Sequence, residues 1–161
     1  MNKELIEKVR TWSIERGLDT ASPTKQRLKL WEEFGELNAA IARNSRNDAI
    51  DAIGDMLVVM IIYCQQSKCY LDELFEPYEV NTSHWAETEI YKMIDFAGMG
   101  IFKTRESICA IKDITTNLSG VAYKLNTSLE RCLQSAYNEI KDRRGEMING
   151  VFVKESDLKQ Q

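Results

Sequence analysis

Apolar residues recur along most of the chain at alternating intervals of three and four positions, which is the period of one face of an α-helix. Two such sets are Ile90, Ile94, Ala97 and Ile101, and Ile111, Thr115, Leu118 and Ala122. Strand-like alternation is confined to the segment MINGVFV near the C-terminus. The pattern therefore predicts an all-α fold, an antiparallel bundle of helices.

Capping residues and helix breakers divide this pattern into elements. The predicted elements are a helix over 3–16 closed by Gly17, a long helix capped by Ser22 and begun by Pro23, a helix over about 48–67 capped by Asn47, a short helix over 71–78, a loop at 81–83, and three further helices. Gly98 and Gly100 predict a bend or break, or a kink within one longer helix. Thr127 and Glu130 form a predicted capping box for the last helix.

The C-terminal segment departs from the helical pattern. Asn149-Gly150 within MINGVFV is a hairpin-type pair and predicts a short hairpin or an ordered loop. At 161 residues the chain is long enough for one well-buried domain and short for two. We therefore predict a single domain over 1–161, with 145–161 as a C-terminal extension.

The second predicted helix carries acidic residues beside its apolar face. That face consists of Leu30, Phe34, Leu37 and Ile41. At about 100° per residue, Glu33 and Glu36 lie along one edge of the face, with Lys29 earlier on the same edge. Glu32 points further toward solvent. Acids at the border of an apolar face are unusual and suggest a function.

The third predicted helix shows the same combination more sharply. Asp48, Asp51 and Asp55 share one face and lead directly into the apolar run MLVVMIIYC. Helix capping and the helix dipole explain acids in a first turn, which covers Asp48 and Asp51. They do not explain Asp55, because an uncompensated charge two turns inside an apolar helix would cost several kcal/mol. A cation is therefore expected opposite Asp55.

The short connection over 43–47 returns the chain antiparallel, so that the acids of the two helices face each other. Facing carboxylates repel unless a hard cation lies between them, and Mg²⁺ prefers oxygen ligands and often completes its shell with substrate phosphates. The alternative is two ordinary helices whose acids form solvated pairs with Lys29 or Arg43. Spacing alone leaves both interpretations open.

Composition narrows the classes of partner. The net charge of −4 argues against a nucleic-acid-binding surface, and the small cluster Lys141, Arg143 and Arg144 suits a phosphate ester better than a duplex. The four cysteines show no C-x-x-C spacing, so reduced thiols in a cytoplasmic protein are expected. No signal-peptide core and no apolar run of membrane-spanning length is present in the sequence.

The acidic residues resemble the motif of the all-α nucleoside triphosphate pyrophosphohydrolases, in particular the MazG-like branch of bacteriophage type. That motif is an E-E-x-x-E helix followed after a short loop by an E-x-x-D helix. Glu32, Glu33 and Glu36 match the first half, and Asp55 matches the closing aspartate. The family glutamate three positions earlier is replaced by Ala52. Asp51, which shares a face with Asp55, is the nearest acid that could replace it.

The segment AYNEIKDRRGEMINGVFVKE also resembles the C-terminal part of these proteins. The resemblance implies that Lys141 and Arg144 hold triphosphate oxygens and that Asn138 binds nucleotide or phosphate, the three lying on one helix face. The alternative is that the basic residues only complement a helix dipole. Trp12 is expected in the core or, as a second interpretation, in a pocket where it stacks on a base.

The resemblance implies a Mg²⁺-dependent hydrolase, with Mn²⁺ as a substitute, that cleaves a nucleoside triphosphate to the monophosphate and pyrophosphate. Glu33, Glu36, Asp51 and Asp55 are the expected ligands, and Glu32 or Glu36 the expected base. A homodimer or homotetramer is expected, located in the cytoplasm, or in that of the host if a phage encodes it. The alternative is a helical binding protein that lost turnover with the change to Ala52.

Overall fold

In the computed structural model, which describes residues 1–79, 82–148 and 151–155, most of the chain is helical. The described elements are α1 (Lys3–Glu15), α2 (Pro23–Ala42), α3 (Arg46–Gln66), α4 (Thr82–Glu87), α5 (Ile90–Lys103), α6 (Ala110–Lys124), α7 (Leu129–Ile140), β1 (Gly145–Ile148) and β2 (Val151–Lys154), with 3₁₀ turns at Leu18–Thr20 and Asp72–Phe75. The predicted helical fold with a C-terminal hairpin is thereby confirmed. No helix in the described ranges has the length and apolar character needed to cross a membrane.

Helix α3 lies at the centre of the core. Every residue from Met56 to Gln66 is buried, as expected for a helix that is apolar all round. Helix α3 packs against α1, α2 and α7, while α5 and α6 form a second pair whose inner faces join the same core. The acids at the start of α3 therefore lie where the central helix emerges from the core.

Helices α2 and α3 are antiparallel. Gln26 at the start of α2 donates a hydrogen bond from Nε2 to the carbonyl oxygen of Val59, in the second half of α3, at 3.3 Å. The connection is shorter than predicted, because α2 ends at Ala42 and α3 begins at Arg46. The N-cap position is taken by Ser45, so the prediction of Asn47 was wrong, while Asp48 does lie in the first turn.

Helix α5 is continuous, so the predicted break at Gly98 and Gly100 was wrong. Both glycines serve close helix packing instead. A Cβ at Gly98 would lie 3.0 Å from the ring of Phe34 in α2, and one at Gly100 would lie 2.6 Å from the side chain of Ile114 in α6. Close packing against α2 and α6 therefore explains these glycines, and the helical backbone of α5 continues through both positions.

Other local predictions need smaller corrections. Ser128, and not Thr127, caps α7, since its side chain accepts a hydrogen bond from the backbone N–H of Arg131. The short helix predicted over 71–78 is only a 3₁₀ turn, and residues 82–83 of the predicted loop belong to α4, while Asn81 lies outside the described residues. Gly17, with φ of 67°, ends α1 as predicted.

Strands β1 and β2 form an antiparallel hairpin in which Gly145 pairs with Lys154 and Ile148 with Val151. The predicted turn residues Asn149 and Gly150 lie outside the described residues. The ring of Phe152 contacts Trp12 edge to face, with centroids 6.1 Å apart. This contact places the hairpin against α1, beside the start of α2 and the end of α7.

Candidate functional site

A groove of about 360 Å³ lies between α2 and the N-terminal half of α3. It is lined by Glu36, Ala39, Ala40, Arg43, Asp48, Asp51, Ala52 and Asp55. Four carboxylates thus face one space, with a single arginine at the helix connection. The antiparallel arrangement of the two helices places these four side chains along one groove. We call this space the acidic groove.

Asp55 has the most perturbed carboxyl group in the acidic groove. Burial, together with the neighbouring charges of Glu33 and Glu139, raises the pKa of Asp55 to about 6. Arg143 and Lys29 act in the opposite direction but do not cancel the shift. Lys29 on α2 and Arg143 in the segment after α7 thus lower the pKa of Asp55, but neither forms an ion pair with it within the described residues.

Glu33 is only 4% exposed, beside the acidic groove on α2. Its Oε1 accepts from the ammonium of Lys29 at 2.8 Å, and the same ammonium lies 3.0 Å from Glu32. Its Oε2 is buried and has no hydrogen-bond partner within the described residues. Burial raises the pKa of Glu33, partly offset by Lys29. The carboxylate is thus paired through Oε1, whereas Oε2 has no partner within the described residues.

A second cavity, of about 540 Å³, shares Glu36 and Asp55 with the acidic groove. We call it the long cleft. Its polar lining consists of Ser22, Lys25, Gln26, Lys29, Glu32, Glu33, Glu36, Asp55, Gln66 and Arg143. Its apolar lining consists of Trp12, Leu18, Ala21, Val58, Val59, Ile62, Ile140 and Phe152. The two cavities together combine acids, cations and an aromatic wall.

Trp12 is a core residue that also lines a cavity. It is buried and donates a hydrogen bond from Nε1 to the carbonyl oxygen of Ile140 at 2.7 Å, which is a core role. One surface of the residue also lines the long cleft, where Phe152 stands beside it. Its hydrogen bond holds the ring in place at the cleft wall.

The predicted shared helix face of Asn138, Lys141 and Arg144 is not formed, because α7 ends at Ile140. Asn138 is exposed and accepts from Gln134 on its own helix at 3.2 Å. None of the three is among the residues that line the acidic groove or the long cleft. Their assignment to substrate binding therefore lacks a cavity contact among the described residues.

Arg143 is the residue of this basic cluster that does line the long cleft. Its backbone is held by Arg16, whose Nε and Nη2 donate to the carbonyl oxygen of Arg143 at 3.1 and 2.9 Å. The sequence signal for Arg143 was the cluster itself, which did not distinguish its three members. Gln66 was missed entirely, since a glutamine at the end of an apolar run carries no motif.

The donor types in the acidic groove fit a hard cation, because all are carboxylate oxygens. Their positions fit less well. Across residues 1–79, 82–148 and 151–155, no three His, Cys, Asp or Glu side chains are gathered closely enough to hold a metal ion. Glu36 and Asp51 are exposed, so their side chains are free to change rotamer. The buried Oε2 of Glu33 remains the atom whose environment most favours an added cation.

No family profile and no solved structure matches the chain. The chain is similar to an "uncharacterized 18.2 kDa protein in rep-hol intergenic region" of Haemophilus phage HP1 (strain HP1c1), with 39% identity over 75 residues. The aligned part is 46% of this chain and 45% of that protein, so the similarity covers less than half of each. The fold and the comparison together establish that this is a mostly helical protein and that part of it is similar to a phage protein.

Proposed function

We propose that the protein is a Mg²⁺-dependent nucleoside triphosphate pyrophosphohydrolase, which cleaves between the α and β phosphates to give a monophosphate and pyrophosphate. The observation that carries the proposal is the junction of the two cavities at Glu36 and Asp55. Carboxylates there meet Lys29 and Arg143, and an aromatic wall continues beyond them. Acids, phosphate-binding cations and a stacking surface are the three parts that such a substrate requires.

The proposed ligands of Mg²⁺ are the carboxylates of Glu33, Glu36, Asp51 and Asp55. When bound, the ion would neutralise phosphate charge and lower the pKa of a water molecule. Mn²⁺ would serve in its place. Lys29, whose ammonium lies 2.8 Å from Glu33 Oε1, also lines the long cleft and is the proposed partner of phosphate oxygens.

The remaining roles fall to residues that line the long cleft. Glu32 or Glu36 accepts the proton of the attacking water, since both are exposed carboxylates beside the proposed cation site. Lys29 and Arg143 hold phosphate oxygens, and Trp12 faces the base. Lys141, Arg144 and Asn138, proposed from resemblance, would act only if a bound triphosphate extends beyond the described cavity lining.

The proposal includes a homodimer or homotetramer, active in the cytoplasm. Large apolar side chains on α5 support an assembly, because Tyr91, Phe96, Met99 and Phe102 are each more than half exposed. A sedimentation experiment at micromolar concentration is expected to give a mass of two or four chains. A purely monomeric mass would contradict this part of the proposal.

A helical binding protein without turnover is the second candidate. Two observations favour it: the separated positions of the acids in the described chain, and the small side chain of Ala52 in the acidic groove. This candidate predicts no release of pyrophosphate under any metal condition.

The deciding experiment measures pyrophosphate released from a panel of ribo- and deoxyribonucleoside triphosphates, with Mg²⁺, with Mn²⁺ and with a chelator. The hydrolase requires metal-dependent release that Asp55→Asn abolishes. Asp95→Asn is the matched control, since Asp95 is an exposed aspartate on α5 and lines neither cavity. Absence of release from every nucleotide in a folded protein would favour the binding protein.

A further inference from the structure

Gln66, the last residue of α3, lines the long cleft although it is only 9% exposed. Its Nε2 donates a hydrogen bond to the carbonyl oxygen of Leu18 at 2.8 Å. Reversing the amide would place two carbonyl oxygens against each other, so this contact assigns Oε1 and Nε2. The contact therefore fixes Oε1 as an acceptor on a residue that lines the cleft.

The Oε1 of Gln66 is buried and finds no donor in the described part of the chain. A buried acceptor left without a partner is unfavourable, and most such groups in proteins are satisfied. A ligand N–H that reached this atom would remove that cost. The surroundings suit a flat ring, since Trp12 and Phe152 line the same cleft.

Gln65 provides a comparison within the same helix. It is also buried, donates from Nε2 to the carbonyl oxygen of Arg10 at 3.2 Å, and has an Oε1 without a partner among the described residues. However, it does not line either cavity. Two guanidinium nitrogens of Arg10 also have no hydrogen-bond partner within the same ranges. Unpaired donors therefore belong to the same residue whose carbonyl oxygen accepts from Gln65. Gln66 differs because its side chain lines the long cleft.

We propose that Gln66 Oε1 accepts a hydrogen bond from the exocyclic amino group of a nucleobase, so that the long cleft selects amino bases over their oxo counterparts. This inference rests on the proposed function in taking the ligand to be a nucleotide. Adenine and cytosine present an amino group where hypoxanthine and uracil present a carbonyl oxygen. A carbonyl oxygen facing Oε1 makes no hydrogen bond and is repelled. The preference follows from that difference.

The test compares nucleotide binding within two matched pairs, AMP with IMP and CMP with UMP. Monophosphates are used because they are not cleaved, so affinity is measured separately from turnover. Titration calorimetry of the full-length protein with Mg²⁺ is expected to show about tenfold tighter binding of the amino member in at least one pair. Equal affinities within both pairs, or no binding of any of the four, would overturn the proposal.

The variants Gln66→Met and Gln65→Met are the matched test and control. Methionine keeps an unbranched side chain of similar length and removes the amide. Gln66→Met is expected to bring the two members of the pair to within about twofold. Gln65→Met is expected to keep the wild-type preference. An unchanged preference in a folded Gln66→Met protein would show that another residue reads the base.

A second variant keeps the proposal testable if Gln66→Met does not fold. Gln66→Glu retains acceptor oxygens and should retain the preference for the amino base. Loss of the preference in folded Gln66→Glu would count against the proposal. Pyrophosphate assays separate the two hypotheses: equal cleavage of ATP with ITP and CTP with UTP refutes the selectivity alone, whereas selective binding without cleavage refutes the hydrolase alone.

Discussion

At the scale of single residues, the charge on Asp55 opposes folding. Its pKa is raised to about 6 in the folded protein, from an ordinary value of 3.8. Below pH 3.8 the carboxyl is neutral in both states and carries no penalty. Between pH 3.8 and about pH 6 the Asp55 carboxyl ionises freely only in the unfolded state, so the free energy of unfolding falls as pH rises. The penalty is complete above pH 6 and is about 3 kcal/mol, from 1.36 kcal/mol per pKa unit.

Asp55→Asn should therefore stabilise the metal-free protein by up to about 3 kcal/mol at pH 7.5 and by little at pH 4. The partners that remain around this position are Lys29, Glu33, Glu139 and Arg143. Urea denaturation of both proteins in a chelating buffer at several pH values measures the difference. A stability gap that stays constant between pH 4 and 7.5 would contradict the assignment of the titration to Asp55.

Asp51 and Asp48 give a test of the proposed ligand set. Both are exposed and line the acidic groove, but Asp48 lies in the first turn of α3, where the helix dipole stabilises it by about 0.3–1 kcal/mol. If Asp51 replaces the glutamate absent at Ala52, Asp51→Asn should abolish Mg²⁺-dependent activity nearly as fully as Asp55→Asn. Asp48→Asn should be mild. Initial rates of pyrophosphate release measure this, and full activity in Asp51→Asn would leave Asp48 or a three-carboxylate set as the better account.

At the scale of elements, α3 approaches α7 more closely than a side chain allows. A Cβ at Gly54 would lie 2.5 Å from the carbonyl oxygen of Cys132 and 2.9 Å from the Cβ of Ala136. The backbone of α7 cannot give way as a flexible side chain would. Gly54 is thus required one position before Asp55, and the close approach sets the position of α7, whose last residue Ile140 lines the long cleft.

Gly54→Ala is expected to destabilise the fold by about 1–3 kcal/mol, because the added methyl group forces α3 and α7 apart. Gly35→Ala is the control on α2, where nothing lies within 4 Å of an added Cβ. That change should stabilise by about 0.5–1 kcal/mol through helix propensity. Urea midpoints measure both. Equal midpoints for the two variants would show that the α3–α7 contact relaxes freely.

At the scale of the whole molecule, the end of α1 anchors the C-terminal segment. Arg16 donates to the carbonyl oxygens of Lys141 and Arg143, and its guanidinium lies 4.7 Å from the ring of Trp12. Trp12 in turn donates to Ile140. These contacts join residues about 125 positions apart in sequence and fix where Arg143 enters the long cleft.

Arg16→Lys should destabilise the protein by about 2 kcal/mol, since lysine keeps the charge but cannot form the fork of hydrogen bonds. Amide hydrogen exchange in 141–148 is expected to accelerate more than exchange in α3. Arg131→Lys, at an exposed position on α7, is the control and should change neither property. Unchanged exchange in 141–148 of Arg16→Lys would show that other contacts hold the segment.

The sequence by itself determined the helices and the groove of acids. Apolar residues at intervals of three and four positions located the buried faces of α5 and α6, and Gly17 and Pro23 correctly marked the end of α1 and the start of α2. These features are local, because capping and amphipathic periodicity act within a few residues. The partial burial of Asp55 was also readable, since the carboxyl stands directly before the central apolar run.

Only the tertiary structure decided which distant groups meet the acids. Lys141, Arg143 and Arg144 are equivalent in a sequence pattern, and the hydrogen bonds from Arg16 and Trp12 separate them by ending α7 at Ile140. Likewise, nothing local distinguishes Gln66 from Gln65. Their difference lies in which neighbour each amide faces, Leu18 at the long cleft or Arg10 in the core. Such contacts depend on how whole helices pack, and the residues nearby in sequence do not determine that packing.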